Sequence, residues 1–206
     1  MKPDFKKNYY PDLFSWKDLF QLINMKPLMD TKRVQVFSPT SFAWNNDPWT
    51  NNENTWPPTL LREKLEKYLC CFIEMSRCNK KLNDFSADLE KKFNQQVDAH
   101  IFSCRNLEID HPFGIHFDYS DNVIVQCEGT TNFKVWNEID DHDQCTSKLE
   151  IDEKPIIDVE MNPGDAIWIP RYHPHLATSK SIRLSVSFPL IYNESKVFQD
   201  RNWIEL

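Results

Sequence analysis

The C-terminal half of the chain consists of short apolar segments separated by turn residues, and this pattern restricts the fold more than any other feature. From residue 97 onward most segments are four to eight residues long and rich in β-branched or aromatic side chains. Examples are NVIVQCE, TNFKVW, PIIDVEM, DAIWIP and SIRLSVSF. Short strands that follow one another at roughly 8–12-residue spacing are typical of a β-sandwich or β-barrel.

The N-terminal half has a different pattern, in which apolar residues recur at helical spacing. The stretch DLFSWKDLFQLIN (12–24) predicts a short amphipathic helix, and RVQVF (33–37) predicts a strand. Two further helices are predicted within residues 59–96, over TLLREKLEKYLCCFIEM and over DFSADLEKKFNQQV. We therefore expect helices that support a β-barrel.

The chain length is that of one domain. We expect a single domain over 1–206, with a mostly helical support in 1–96, a barrel core in 97–190 and a C-terminal tail in 191–206. A long loop rich in Asn, Pro and Trp interrupts the support at 38–58. It is either a lid or binding loop, or a segment anchored to the surface by Trp44, Trp49 and Trp56.

Charge and composition exclude several classes of function. The formal net charge is −7 and no basic stripe is present, which argues against nucleic acid as the main partner. The N-terminus has no signal-peptide pattern, and no apolar run approaches the ~18–20 residues of a membrane span. We therefore expect a soluble, cytoplasmic protein whose six cysteines are reduced thiols.

One candidate metal site joins two distant stretches. GIHFDYSDNVIVQCEG carries His116 and Asp118, and on a strand their spacing directs both side chains to one face. NPGDAIWIPRYHPHLATS offers His175 at the start of the next predicted strand, with His173 as its competitor. Two histidines and a carboxylate bind one face of Fe(II) and leave positions open for substrate and O₂.

The same two stretches resemble the two motifs of the cupin superfamily. The second motif, a glycine, a proline and a histidine at set intervals, matches Gly164, Pro170 and His175. That interval favours His175 over His173 as the ligand. The first motif is matched by His116, Asp118, Asn122 and Gly129, with Asp118 where cupins have a second histidine and Asn122 where they have a glutamate.

Those departures reduce a four-ligand cupin site to three ligands, as in the Fe(II)/2-oxoglutarate oxygenases of the Jumonji-C, cupin-like type. HFDYSDNVIVQCEGTTNFKVW also resembles the strand pair of that family through Gln126, Gly129 and Trp136. The resemblance implies a mainly β protein with N-terminal helices, built on a double-stranded β-helix (cupin/jelly-roll barrel). It also implies that His116, Asp118 and His175 hold Fe(II) and are the catalytic residues.

In this family a cation binds the distal carboxylate of 2-oxoglutarate. The position where a lysine is often found is Thr131 here, so the chain departs from the family at that point. Arg183 and Ser185 match an R-x-S pair that many 2-oxoglutarate oxygenases use, and a planar guanidinium suits a carboxylate. Lys134 is the competing cation but would face the opposite side of its strand. Asn122 and Thr131 are further candidates for co-substrate hydrogen bonds.

The resemblance implies a 2-oxoglutarate-dependent dioxygenase that hydroxylates a C–H bond of a protein side chain or small molecule. Two alternatives stay open: a metal-dependent cupin enzyme that does not use 2-oxoglutarate, and a non-catalytic cupin-fold binding module. The expected partners are O₂ and a small-molecule or peptide substrate, and the resemblance allows a homodimer. Selectivity is expected from the loops at 38–58 and 137–154.

Several other polar or aromatic residues are expected to have ordinary structural roles. His111 is a loop histidine that could stand at an entrance, and His100 and His142 are expected to be structural or exposed. Tyr119 and Trp168 are expected in the core or in a pocket wall.

Overall fold

The structure is a computed structural model that describes residues 2–25, 29, 32–37, 55–105, 113–139, 149–179 and 181–191. Three helices lie within these residues: α1 (Trp16–Ile23), α2 (Pro58–Leu65) and α3 (Lys80–Phe93). The strands are β1 (Asp4–Lys6), β2 (Val34–Phe37), β3 (Leu69–Phe72), β4 (Gln96–Val97), β5 (His100–Cys104), β6 (Asn122–Gly129), β7 (Thr131–Val135), β8 (Ile157–Met161), β9 (Ala166–Ile169), β10 (His175–Thr178) and β11 (Arg183–Ile191).

The strands form two antiparallel sheets. The larger has the order β1-β9-β6-β11-β5-β3-β2, with β4 also paired to β11, and the smaller has the order β10-β7-β8. A small apolar core fills the space between them, with Ile124 and Ile167 from the larger sheet against Phe133, Val135 and Ala177 from the smaller. The two facing sheets are the barrel that the sequence predicts.

Alternate side chains of strand β11 face the hydrophobic core and a cavity between the sheets. Leu184, Val186, Phe188 and Leu190 belong to the main hydrophobic core under the helices. Arg183, Ser187 and Pro189 face the opposite way and line a cavity between the sheets. Successive side chains of a strand point to opposite faces, so this one segment supplies both packing and polar groups.

The helices cover the outer face of the larger sheet. Each presents an apolar stripe to it, such as Leu19, Leu22 and Ile23 of α1. Ser15 and Asp18 form a capping box at the start of α1, and the Asn79 side chain accepts hydrogen bonds from two backbone N–H groups at the start of α3. These caps satisfy donors that a helix leaves unpaired at its N-terminus.

The predicted fold class is confirmed, but two local predictions are wrong and one strand was not predicted. The helix predicted over 59–75 ends at Leu65, and Leu69–Phe72 is the strand β3 between β2 and β5. A continuous apolar run fits a buried strand as well as a helix, and here pairing on both sides decides. The GIHFDYS segment is irregular apart from a single bridge at His116. The N-terminal strand β1, which pairs with β9, was not expected.

The support and the barrel share one sheet, because β1, β2 and β3 of the N-terminal half extend it. The predicted tail and most of loop 38–58 lie outside the described residues. Trp56, at the end of that loop, is buried and its indole N–H donates to the Val34 carbonyl at 3.0 Å, as an anchor would. None of the described helices is both long and apolar enough to cross a membrane.

A candidate metal centre and an anion-binding cavity

His116, Asp118 and His175 lie together at one end of the cavity between the sheets. One ligand atom from each residue lies within 4.8 Å of those of the other two. The two imidazole rings are 4.3 Å apart between centroids, and His175 Nε2 is 3.8 Å from Asp118 Oδ2. Among the described residues this is the one group of three that could hold a metal ion.

Backbone hydrogen bonds bring these distant residues together. The His175 N–H donates to the His116 carbonyl at 2.7 Å, and the His116 N–H donates to the His175 carbonyl at 3.1 Å. The carbonyl of Asp118 accepts from the Tyr172 N–H at 3.0 Å. The segment that carries the H-x-D pair is therefore held by the turn and strand that carry His175.

Both histidines have the tautomer that a metal site requires. Nδ1 of His116 is 3.1 Å from the Gly114 carbonyl, and Nδ1 of His175 is 3.1 Å from the His173 carbonyl. A carbonyl only accepts, so each Nδ1 carries the proton and each Nε2 has the lone pair that a metal would bind. Metal-binding histidines usually donate their second ring N–H in this way. The residues present therefore fit a divalent metal.

The charge states also fit. Burial and the neighbouring His175 lower the pKa of His116 from 6.5 to about 4, so its imidazole is neutral near pH 7. A metal binds the neutral imidazole, so it displaces no proton from this residue. The Asp118 carboxylate accepts a hydrogen bond from Asn122 Nδ2 at 2.8 Å, and Asn122 Oδ1 accepts one from Ser187 at 3.1 Å.

His173 lies outside this group. It is buried, and its Nδ1 is 3.2 Å from the Arg171 carbonyl. Of the two candidates that the sequence offers for the third ligand, the structure brings only His175 to His116 and Asp118.

Arg183 lies at the bottom of the cavity with no carboxylate beside it among the described residues. Its side chain is buried, its Nε donates to Ser185 Oγ at 3.1 Å, and its guanidinium lies 5.6 Å from the Phe102 ring and 5.8 Å from the Phe133 ring. Burial lowers its pKa from 12.5 to about 10, so it remains charged at neutral pH. A buried cation without a counter-ion is costly, so this end of the cavity suits an anion.

The other candidates for co-substrate binding have different positions. Lys134 is half-exposed and lies 3.6 Å from Asp158, so it faces away from the cavity. Ser185 is buried as the hydrogen-bond partner of Arg183. Asn122 lines the cavity, whereas Thr131 is not among the lining residues and its buried hydroxyl has no partner within the described part of the chain.

The cavity has a volume of about 480 Å³, within the usual range of ligand sites. Sequence reasoning missed several of its walls: Gln35 of β2, Cys71 of β3, and His100 and Phe102 of β5. His100 lines the cavity, and it is also hydrogen-bonded to Asp98 and 31% exposed, in keeping with the expectation that it is structural or exposed. The alternation of His100 and Phe102 on a strand next to Arg183 is a signal in the sequence, but only the strand order gives it meaning.

The remaining predictions have mixed outcomes. Trp168 packs in the core, stacked on Phe93 with 5.2 Å between centroids, whereas Tyr119 is 59% exposed, so the expectation for Tyr119 is wrong. His111 and His142 lie outside the described residues, as do 140–148 of the acidic loop.

Comparison with solved structures supports the fold. The X-ray structure of Escherichia coli YcfD has 19% identity and a TM-score of 0.62, with 94% of this chain and 50% of that chain covered. A structure described as the E. coli ribosomal oxygenase YcfD has 16% identity and a TM-score of 0.63, with 94% of this chain and 49% of that chain covered. A complex of YcfD with cobalt and 2-oxoglutarate has 18% identity and a TM-score of 0.59, with 94% of this chain and 49% of that chain covered. The chain spans about half the length of these structures.

Sequence comparisons place the chain in a family. A comparison with curated proteins found no match. The model of the JmjC domain matches residues 79–197, which is more than half of the chain. The matched region contains His116, Asp118, His175 and Arg183, together with the strands that bring them to one cavity. The chain therefore belongs to the JmjC domain family.

Proposed function

We propose that this chain is an Fe(II)- and 2-oxoglutarate-dependent oxygenase that hydroxylates a C–H bond of its substrate. The observation that carries the proposal is the pairing of two features in one cavity. Two histidines and a carboxylate whose ligand atoms lie close together suit Fe(II), and a buried arginine with no carboxylate partner among the described residues suits a dicarboxylate. A metal site alone would not need the arginine.

His116, Asp118 and His175 would hold the metal. Asn122 would keep the Asp118 carboxylate in one orientation through the hydrogen bond that it donates. Arg183, steadied by Ser185, would bind the distal carboxylate of 2-oxoglutarate by charge-assisted hydrogen bonds. When bound, iron and 2-oxoglutarate supply the chemistry, in which oxidative decarboxylation to succinate and CO₂ activates O₂ for C–H hydroxylation.

The rest of the cavity would exclude water and position the substrate. Phe102, Phe113, Phe117 and Phe133 line it and leave little polar surface near the metal. A dry site strengthens the interaction of Arg183 with a carboxylate. One of the similar structures is described as a ribosomal oxygenase, which supports a protein or peptide as one substrate class; a small molecule is the other.

The two alternatives from the sequence fit less well. A cupin enzyme without 2-oxoglutarate gives no reason for a buried, unpaired Arg183. A binding module without catalysis gives no reason for two histidines and a carboxylate whose ligand atoms lie within 4.8 Å of one another.

An anaerobic titration with Fe(II) tests the function. We expect a weak visible charge-transfer band only when Fe(II) and 2-oxoglutarate are both present, followed by succinate formation on admission of O₂. A band that requires both components would favour 2-oxoglutarate chelation over the alternatives. Absence of the band together with absence of succinate would overturn the proposal.

A further inference from the structure

The cavity extends beyond the metal and the arginine, over strands β5, β3 and β2. We define its distal half by four lining residues: Gln35, Phe37, Ile73 and His100. Gln35 pairs with Cys71, and Cys71 pairs with Phe102, so Gln35 lies three strands from β11. At about 4.8 Å per strand this is roughly 14 Å across the sheet.

An aromatic wall connects the distal half to the metal ligands. The rings of Phe37 and Phe113 meet edge to face with 4.7 Å between centroids, and Phe113 lies 5.3 Å from the ring of His116. A ligand that extends along this wall would reach from the metal to Gln35. The distal half is therefore continuous with the proposed reaction site.

Gln35 is a buried amide without a hydrogen-bond partner among the described residues. It is only 5% exposed and faces the cavity, on a strand whose other residues are buried and apolar. A buried amide that is left unpaired costs stability, and a ligand with a matching donor and acceptor would recover that cost.

His100 lies on β5, two strands from Gln35, and the half-buried carboxylate of Asp98 holds its ring. Its Nε2 is 3.1 Å from Asp98 Oδ2, and that carboxylate also accepts from the Glu74 N–H at 2.9 Å. Nδ1 of His100 makes no hydrogen bond within the described residues, and the residue lines the cavity. The aspartate thus fixes the ring and leaves one nitrogen for a ligand.

The lining favours a neutral ligand group. Apart from Asp118 and Arg183, no described lining residue is an Asp, Glu, Lys or Arg. Burial raises the pKa of Cys71 well above its usual range, so this thiol is neutral too. A charged group placed here would lose its hydration without a counter-charge, at high cost.

We infer that the distal half binds a neutral amide group of the substrate, remote from the oxidised carbon, and that Gln35 and His100 recognise it. The inference rests on the proposed function for the identity of the reaction at the metal end. A carboxamide fits because it offers a donor and an acceptor in one plane, as Gln35 does. The amide could be a primary carboxamide of a small molecule or the secondary amide of a peptide.

Four probes of nearly equal shape separate these properties. Pentanamide carries a donor and an acceptor, 2-hexanone only an acceptor, and pentanoate a charge, while N-methylpentanamide represents the peptide amide. Saturation-transfer NMR on the full chain with saturating 2-oxoglutarate measures the affinity of each probe. We expect pentanamide or N-methylpentanamide to bind more tightly than 2-hexanone or pentanoate, and the stronger of the two amides identifies the source.

Variants of Gln35 test whether the preference for amide probes arises in the distal half of the cavity. Gln35→Met keeps the length of the side chain and removes its hydrogen bonds, so amide affinity should fall roughly fivefold while 2-hexanone is unaffected. Gln35→Glu keeps the shape and is a second test should the methionine variant be unstable. Gln96→Leu, on an exposed position of β4, is the control and should leave the preference unchanged.

Two results would overturn the inference: equal binding of pentanamide, N-methylpentanamide and 2-hexanone to the unaltered protein, or an amide preference that survives both Gln35 variants. The proposed function has a separate readout in the same samples. Mn(II) should broaden the methylene signals of 2-oxoglutarate whether or not Gln35 is changed. Loss of that broadening with the amide preference intact would reject the oxygenase and keep the amide site.

Discussion

Single residues in this protein have roles that their immediate neighbours do not share. Arg183 faces the cavity while Leu184, the next residue, is fully buried in the core under the helices. The Arg183 guanidinium has no carboxylate partner among the described residues, and the rings of Phe102 and Phe133 beside it offset part of the cost of its burial. The proposed binding of 2-oxoglutarate gives a reason to keep this charge. This is the trade between stability and activity that functional sites often show.

That trade gives a prediction for Arg183→Met. The variant should raise the free energy of unfolding of the ligand-free protein by about 1–3 kcal/mol, because an unpaired buried charge is replaced by an apolar chain. It should also weaken 2-oxoglutarate binding at least about 100-fold. Denaturant unfolding and calorimetric titration measure the two effects. Arg183→Lys, which keeps the charge without the planar fork, is the control and should bind with intermediate affinity.

The third metal ligand gives a second prediction at this scale. His175→Ala should reduce Co(II) affinity by at least about 100-fold, because it removes one of three ligands. His173→Ala should change it less than about threefold, since that ring is bonded to the Arg171 carbonyl and lies outside the group. Co(II) titration followed by absorption spectroscopy measures both. The opposite ranking of the two variants would mean that the ligand assignment is incorrect.

The Asp98–His100 pair gives a pH-dependent prediction. Burial alone would raise the pKa of Asp98, but hydrogen bonds from His100 and from backbone N–H groups, with the charge of His100, hold it below 3.8. A carboxyl whose folded-state pKa is depressed stabilises the fold above about pH 4, and the contribution is lost as pH falls through the folded value.

The comparison with Asp98→Asn isolates this contribution. The variant should be less stable by about 1–2 kcal/mol at pH 6, and the difference should shrink by pH 3. Asp158→Asn removes the negative charge of the exposed pair with Lys134 and should have an effect below about 1 kcal/mol at either pH. Urea unfolding at both pH values measures these differences. If the difference in free energy of unfolding between wild type and Asp98→Asn is larger at pH 3 than at pH 6, the depressed pKa of Asp98 does not stabilise the fold.

At the scale of elements, the turn between β6 and β7 depends on one glycine. Gly129 has φ of +69°, and a Cβ there would lie 1.5 Å from the carbonyl oxygen of Ile182. The same glycine is paired with Arg183 across β6 and β11. The turn therefore couples the backbone geometry of two strands to the position of the proposed anion site.

Gly129→Ala should destabilise the fold by at least about 2 kcal/mol and also weaken 2-oxoglutarate binding. Gly164→Ala is the matched control: its φ is +91°, but the closest atom to a new Cβ is the Asn8 side chain at 3.2 Å. Its cost should be near 1 kcal/mol with 2-oxoglutarate binding unchanged. Equal effects of the two variants on binding would contradict the proposed coupling.

At the scale of the whole molecule, the helices and the strand β11 share the main core. The main cluster contains Leu19 of α1, Leu61 of α2, Phe85 of α3 and Val186 of β11. Because residues of all three helices and of β11 belong to this one cluster, we expect thermal unfolding in a single cooperative transition.

Ligands that bind only the folded state should shift that transition. Co(II) with 2-oxoglutarate, each at about 100 times its dissociation constant, should stabilise the protein by at least about 2.7 kcal/mol. Calorimetry measures the shift, which should be smaller in Arg183→Met. Two separate transitions, or the same shift in that variant, would contradict a shared core or the role of the arginine.

Local sequence patterns were sufficient for most strands, for α1 and α3, and for the pairing of the H-x-D segment with His175. They failed for β3 and did not indicate that His100 lines the cavity, because both depend on neighbours in the sheet.

The sequence by itself determined the fold class and the candidate metal ligands, because both follow from spacing along the chain. Only the tertiary structure decided that Arg183 rather than Lys134 faces the cavity, and that Gln35 lies in the same cavity. The physical reason is that a strand's period of two fixes which residues share a face, whereas the order and packing of the sheets fix what that face meets.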